Sequence, residues 1–131
     1  MAAYIRQDLA CMDLFQYSNS VVDIIAIKCK KLDCIFTIIY RPPDTRNDEW
    51  ADAMCKLIDA INMAQSNGEY SNVICMGDFN FPKVNWSNLD MSASQPKLLI
   101  EFMSQFYLTN IVHESTRCDK MLDLVLVTDV T

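Results

Sequence analysis

Glycine and histidine are both scarce in this sequence, so the positions that keep them carry information. The chain has only two glycines, Gly68 and Gly77, and a single histidine, His113. None of its six cysteines forms a Cys-x-x-Cys pair, and His113 has no cysteine pair nearby. Because structural zinc sites draw their ligands from such pairs, the sequence disfavours a zinc-binding protein. The cysteines are predicted to be reduced and mostly buried.

The sequence also lacks a long apolar run and an excess of basic residues. No uninterrupted apolar stretch approaches the roughly 20 residues that a membrane span needs, and the N-terminus shows no secretory signal pattern. We therefore expect an intracellular protein that is neither secreted nor membrane-bound. The net charge of −6 disfavours nucleic-acid binding driven by charge alone. It is compatible with a nuclease whose carboxylates hold a metal ion.

The chain contains enough apolar material for one folded domain. It has 131 residues, of which 51% are hydrophobic, and a chain of this length can bury roughly two thirds of its unfolded surface. β-Branched runs predict strands at Val21–Lys28, Cys34–Tyr40, Val73–Met76 and Met121–Val127, with a further short strand at Asn110–Val112. The first two of these strands are predicted to form an antiparallel hairpin.

Apolar residues at steps of three and four predict two helices, at Asp48–Ser66 and Pro96–Tyr107. Asn47 or Asp48 is the expected N-cap of the first helix, and Asn67-Gly68 is expected to end it. Helices that alternate with strands indicate an α/β architecture. The hairpin adds antiparallel pairing, so the sheet is predicted to be mixed.

The most informative segment for function is Gly77-Asp78-Phe79-Asn80, directly after a predicted buried strand. The strand would place a carboxylate and a carboxamide two residues apart, on the same side of the chain. Such a pair suits phosphate hydrolysis, because the carboxylate can orient or deprotonate water while the amide donates to a phosphate oxygen. A turn in which Asp78 caps its own backbone is an equally good interpretation of these four residues alone.

Further motifs extend this pattern along the chain. Tyr40-Arg41-Pro42-Pro43 ends an earlier strand, Asn85-Trp86 follows the Gly-Asp segment, and Ser115-Thr116-Arg117 precedes Leu122-Asp123-Leu124-Val125-Leu126. In combination these motifs resemble the endonuclease/exonuclease/phosphatase family. More narrowly, the chain resembles the apurinic-type endonuclease domain of LINE-type (non-LTR) retrotransposon proteins, from about Tyr4 to Val127.

The resemblance implies a four-layer α/β sandwich with mixed, largely antiparallel sheets, and hydrolysis of a DNA phosphodiester with Mg²⁺ or Mn²⁺. It implies that Tyr40 hydrogen-bonds the scissile phosphate and that Asp78 positions or activates water. Asn80 would bind the phosphate and orient Asp78, and Asp123 would steady a catalytic histidine. Asp78 is also a weak candidate for a metal ligand. Arg41, Arg117 and Trp86 are weak candidates for contacts to DNA.

The chain also departs from the family pattern. The family carries an upstream Asn and metal-binding Glu and a downstream Ser-Asp-His strand, and none of these is matched here. His113 precedes the Asp123 strand, so we expect it to be a non-catalytic loop residue. We therefore expect residues 1–131 to be one partial domain, with its parent protein carrying a reverse transcriptase domain and acting in the nucleus. The alternative function is a catalytically inactive remnant or interaction module that keeps only the middle of the fold.

Overall fold

The structure is a computed structural model that describes residues 3–19, 21–82, 94–112, 114 and 123–128. The strands within these residues are β1 (Cys11–Ser18), β2 (Asp23–Cys29), β3 (Cys34–Tyr40), β4 (Asn72–Asp78), β5 (Leu108–Asn110) and β6 (Asp123–Thr128). The helices are α1 (Asn47–Gln65) and α2 (Ser94–Gln105), and a short 3-10 turn at Gln7–Leu9 precedes β1. None of the helices in these ranges is long and apolar enough to cross a membrane.

The six strands form one mixed sheet in the order β1-β2-β3-β4-β6-β5. Only β3 and β4 run parallel, and the other four neighbouring pairs are antiparallel. The predicted α/β class and mixed, largely antiparallel pairing are confirmed. The predicted sandwich of two sheets stays an expectation, because the described residues build one sheet.

Both helices pack on one face of this sheet and bury the core there. The inward side of α1 carries Trp50, Met54, Leu57 and Ile61, all without solvent exposure, and α2 contributes Leu99 and Phe102. These side chains form one cluster with Ile24, Ile35, Ile39, Cys75, Leu124 and Leu126 of the sheet. The helical spacing that predicted the two helices therefore also predicted the sides that they bury.

The opposite face of the sheet, which we call the far face, is also apolar. Strand registers place two rows of apolar residues side by side on it: Ile25, Ile38, Met76 and Val125, then Ile27, Phe36, Ile74 and Val127. Met76 is exposed, and most of the other side chains in these rows are half-buried. The sheet thus has apolar residues on both faces, which is typical of a sheet that packs between two layers.

Strand β1 is missing from the sequence-based prediction. It is an edge strand that pairs only with β2, and its register shifts between Asp13 and Phe15. The irregularity breaks the alternation of exposed and buried residues by which a strand is recognised in a sequence. The residues Cys11 to Ser18 therefore carry no clear period of two.

Smaller corrections concern the ends of elements. The third predicted strand is longer than expected, and the short strand lies at Leu108–Asn110 instead of Asn110–Val112. Helix α1 has Arg46 at its N-cap, where Asn47 or Asp48 was expected. A residue of the first helical turn stabilises this N-terminus, because Glu49 Oε1 accepts a hydrogen bond from the Arg46 backbone N–H at 3.0 Å.

The cysteines follow the prediction of reduced thiols. Five free cysteines lie within the described residues, and Cys29, Cys34 and Cys75 among them are buried. Burial raises the pKa of Cys34 to about 11 and also raises the pKa of Cys75. Since the thiolate is the reactive form, these two thiols are structural and inert. Cys118 lies outside the described residues.

Candidate active site at one edge of the sheet

Three of the predicted site residues lie in a single row across neighbouring strands. Tyr40 pairs with Asp78 in the parallel β3–β4 register, and Asp78 pairs with Asp123 in the antiparallel β4–β6 register. Residues paired in this way project from the same face of a sheet, with strands spaced roughly 5 Å apart. We call these three residues the site row. It lies on the far face, beside the apolar rows.

Chain direction explains why the row forms at this edge. The parallel strands β3 and β4 both end here, while the antiparallel strand β6 begins here. Tyr40 is the last residue of β3, Asp78 is the last residue of β4, and Asp123 is the first residue of β6. The tyrosine is 41% exposed and both aspartates are half-buried. The row is therefore accessible from solvent and partly desolvated.

Gly77 permits the close approach of β3 and β4 beside the site row. Its φ of +153° is rarely adopted by residues with a side chain, and a Cβ atom at this position would lie 1.8 Å from the Ile39 carbonyl oxygen. Ile39 and Gly77 immediately precede Tyr40 and Asp78. One of the two glycines in the chain is thus required where the two strands deliver their polar residues.

Asn80 lies beyond the row, two residues after the end of β4. Its backbone has a left-handed φ of +51°, which asparagine tolerates better than most residues. The side-chain Nδ2 donates to the Arg41 carbonyl oxygen at 2.7 Å. Asn80 is therefore held against the end of β3, and one of its amide hydrogens is already used within the protein.

The structure buries Arg41, the residue named above as a weak candidate for a contact to DNA. The residue is only 5% exposed, and its guanidinium group is directed into the protein. Nη1 donates to the carbonyl oxygens of Phe79 at 3.1 Å and Asn80 at 3.0 Å, while Nε donates to Gln95 Oε1 at 3.0 Å. The fork of guanidinium donors suits several fixed acceptors at once, and here those acceptors belong to the chain itself.

Aromatic rings complete the surroundings of this buried cation. The Arg41 guanidinium carbon lies 4.0 Å from the centroid of the Phe81 ring and 5.7 Å from that of Trp50. Burial lowers the pKa of Arg41 to about 10, which reflects the cost of holding a charge away from water. We call Arg41, Gln95, Trp50 and Phe81 the arginine cluster.

Gln95 joins α2 to this cluster, and the sequence analysis did not single it out. Its Nε2 donates to the Thr45 carbonyl oxygen at 2.8 Å and to Asn47 Oδ1 at 2.7 Å, while its backbone carbonyl oxygen accepts from Trp50 Nε1 at 2.9 Å. An isolated glutamine gives no sequence signal of such a role. Only the packing of α2 against the ends of β3 and β4 brings these groups together.

The described residues supply only part of a metal site, and they do not include three further positions singled out in the sequence. Arg117, Trp86 and His113 lie outside the described residues. Within the described ranges, no group of three or more His, Cys, Asp or Glu side chains could hold a metal ion. Asp78 and Asp123 supply two neighbouring carboxylates, and magnesium sites complete their octahedral shell with further oxygen ligands from waters and substrate phosphates. These residues alone do not fit a complete metal site, and we derive no step through a metal.

The row extends beyond the predicted residues. Asp23 of β2 pairs with Tyr40, and Ser18 of β1 pairs with Asp23. The predicted hairpin, with its loop at Cys29–Asp33, would place Val22 opposite Tyr40, so the sequence missed the position of Asp23 by one residue. It held no signal for Ser18, which belongs to the strand absent from the prediction.

Solved structures show the class of fold to which this arrangement belongs. The catalytic domain of human Nocturnin, solved with a bound sulfate anion, is similar with a TM-score of 0.55 and 12% identity, over 91% of this chain and 47% of that one. At this identity the likeness concerns the fold alone. The chain shares the mixed α/β fold of that catalytic domain.

Two further solved structures are more distant. They are the endonuclease domain of TRAS1, a telomere-specific non-LTR retrotransposon (TM-score 0.46, 16% identity, 88% of this chain and 53% of that one), and an endonuclease/exonuclease/phosphatase family protein from Bacteroides thetaiotaomicron (0.49, 13%, 82% and 41%). The chain spans about half the length of these solved structures. No curated protein matches it significantly in sequence.

The family itself is shown by the sequence. Residues 34–131 match the profile of the endonuclease-reverse transcriptase family. The match includes every position of the site row and covers well over half of the chain, so the chain belongs to this family. The resemblance carried by the Tyr-Arg-Pro-Pro and Gly-Asp-Phe-Asn motifs is confirmed.

Proposed function

We propose that this chain is part of the DNA-nicking endonuclease domain of a retrotransposon protein, whose complete form also carries a reverse transcriptase domain and acts in the nucleus. The observation that carries the proposal is the site row, in which a phenol and two carboxylates from three separate strands meet at one edge of the sheet. Family membership supports the same reaction class. The reaction is hydrolysis of one phosphodiester bond in DNA.

Each residue has a role that follows from its chemistry and position. The Asp78 carboxylate orients a water molecule and accepts its proton as the water oxygen attacks phosphorus. One P–O ester bond breaks, and the leaving oxygen takes a proton from solvent. The Tyr40 hydroxyl and the remaining amide hydrogen of Asn80 donate to phosphate oxygens, where negative charge builds up.

The proposal also gives roles to Asp123 and to a divalent metal ion. Asp123 stands beside Asp78 in the row, where it orients a general acid or base that the described residues do not include. A divalent cation, Mg²⁺ or Mn²⁺, would neutralise phosphate charge in the complete domain. We propose that residues 1–131 supply part of this site and that other parts of a longer domain supply the remaining metal ligands.

The test is nicking of supercoiled plasmid DNA in the presence of Mg²⁺. We expect the longer parent protein to nick the plasmid and Asp78→Asn to lower the rate by about three orders of magnitude or more, since members of a catalytic set act together. The 131-residue chain alone is expected to show no nicking. Asp59→Asn is the matched control, because Asp59 is an exposed carboxylate on α1, and it should leave the rate unchanged.

Two outcomes would contradict the proposal. If the parent protein folds but does not nick DNA, the alternative of an inactive remnant or interaction module is supported. If Asp78→Asn and Asp59→Asn nick equally well, the site row is not the active site. Circular dichroism of each variant checks that the comparison is made between folded proteins.

A further inference from the structure

A cleft of about 430 Å³ lies next to the site row, at the β1–β2 end of the same sheet edge. It is lined by Gln16, Tyr17, Ser18, Asp23, Ile24 and Ile25. Asp23 belongs to the cleft and is also the register partner of Tyr40. The cleft therefore continues the row outward from Tyr40, on the side away from Asp78. Its volume falls in the range of small-molecule sites.

Three polar side chains of this cleft have no partner among the residues that the structure describes. Among the described residues, none hydrogen-bonds or ion-pairs with the side chains of Gln16, Ser18 or Asp23, although Asp23 is half-buried. Tyr17 differs, because its hydroxyl donates to Asp52 of α1. A partly desolvated carboxylate without a partner is costly. A ligand that donates hydrogen bonds to Asp23 would remove this cost.

The lining determines which chemistry the cleft would accept. Among the described residues, the lining contains one carboxylate, one amide, the hydroxyls of Tyr17 and Ser18 and two isoleucines, but no Lys, Arg or His. Such a lining repels phosphate. It suits a flat, neutral heterocycle with N–H donors at its edge, and carboxylates accept from amino groups of this kind on nucleobases. The exposed Tyr40 ring next to Asp23 offers a surface for stacking.

We propose that this cleft is a nucleobase subsite, in which the Asp23 carboxylate accepts hydrogen bonds from the N1–H and the amino group of an unpaired guanine next to the cleaved phosphate. The inference rests on the proposed function, because it takes nucleic acid as the substrate. Asp23 lies two strand spacings from Asp78, or roughly 10 Å. A base inside a duplex does not expose its pairing edge, so the base in the cleft is flipped out or single-stranded.

The experiment is a nuclear magnetic resonance titration of the 131-residue chain with each of the four nucleoside 5′-monophosphates. Ribose 5-phosphate is the probe that lacks a base. We expect guanosine monophosphate to shift the backbone amide signals of Gln16, Ser18, Asp23 and Tyr40, and the other three nucleotides to shift them less. We expect ribose 5-phosphate to leave these signals in place.

Asp23→Asn exchanges an acceptor for a donor and should weaken guanosine monophosphate binding by about tenfold or more. Asp13→Asn is the matched control, because Asp13 is an exposed carboxylate on neighbouring β1 and lies outside the cleft. Its dissociation constant should stay within about twofold of the parent value. Gln16→Ala changes an exposed side chain of the edge strand and gives a second test, with weaker binding expected.

The results separate this inference from the proposed function. Equal binding by Asp23→Asn and Asp13→Asn, equal shifts with ribose 5-phosphate, or no shifts with any nucleotide would overturn the subsite, even if the parent protein nicks DNA through Asp78. Base-dependent binding that requires Asp23, in a parent protein that does not nick DNA, would support the subsite as a nucleotide site and overturn the proposed hydrolysis.

Discussion

At the scale of single residues, Gly77 has less room for a side chain than Gly68, the other glycine of the chain. Gly77→Ala places a methyl group 1.8 Å from the Ile39 carbonyl oxygen, so β3 and β4 must separate at the site row. We expect the free energy of unfolding to fall by more than about 2 kcal/mol. Urea denaturation followed by circular dichroism measures the change.

Gly68 provides the control for this substitution. It also has a positive φ, +83°, but no atom lies within 4 Å of the position that its Cβ would take. We therefore expect Gly68→Ala to lower the free energy of unfolding by about 1 kcal/mol, through backbone strain alone. If the two variants were equally stable, the close approach of the strands at Gly77 would not matter.

Thr37 is a second residue whose substitution should change the stability of the chain in a definite direction. Its side chain is fully buried on the helix-packed face of β3, and its hydroxyl has no hydrogen-bond partner among the described residues. Thr37→Val keeps the shape and removes the unsatisfied oxygen, so thermal unfolding should show a gain of about 1 kcal/mol. Thr109→Val, on an exposed position of β5, should change stability by less than about 0.5 kcal/mol. A loss of stability in Thr37→Val would indicate a partner outside the described residues.

At the scale of elements, the arginine cluster holds β3, β4 and α2 together. Arg41→Met fills similar space but leaves the Phe79 and Asn80 carbonyl oxygens and Gln95 without their donor. We expect a loss of about 2–4 kcal/mol in the free energy of unfolding. Arg46→Met should cost less than about 1 kcal/mol, because the Arg46 side chain is 71% exposed and forms ion pairs near the surface.

A double-mutant cycle tests whether Arg41 acts through Gln95. The losses from Arg41→Met and Gln95→Leu should sum to more than the loss in the double variant by about 0.5–3 kcal/mol, because the two side chains share hydrogen bonds. Additive losses would show that the two residues stabilise the chain independently. The measurement is again denaturation in urea.

At the scale of the whole molecule, the far face dominates the expected behaviour of the isolated chain. Its two apolar rows are largely half-buried or exposed, while both helices pack on the other face. We therefore expect the 131-residue chain to bind an anilinonaphthalene dye and to self-associate in sedimentation experiments.

Met76→Lys should reduce both signals, because Met76 lies within the apolar rows and is exposed. Met63→Lys makes the same change on α1, where Met63 is 78% exposed, and should leave both signals close to those of the unsubstituted chain. A monodisperse chain that does not bind the dye at high concentration would contradict this expectation.

Sequence patterns predicted the structure correctly where interactions between neighbouring residues determine it. The hairpin of β2 and β3 follows from two β-branched runs and a polar turn, and the buried sides of α1 and α2 follow from helical spacing. The motifs at Tyr40 and Asp78 also predicted the right family. Strand β1 escaped prediction because an edge strand with an irregular register lacks a regular period.

The sequence by itself determined the α/β class, the family, and the end of β3 at Tyr40. Those properties depend on the order and type of neighbouring residues. Only the tertiary structure decided that Tyr40, Asp78 and Asp123 stand in one row, that Asp23 extends it, and that Arg41 faces inward. Register and burial depend on contacts between residues that are distant in sequence. The sequence around a basic residue does not show whether that residue donates to phosphates or to carbonyl oxygens of its own chain.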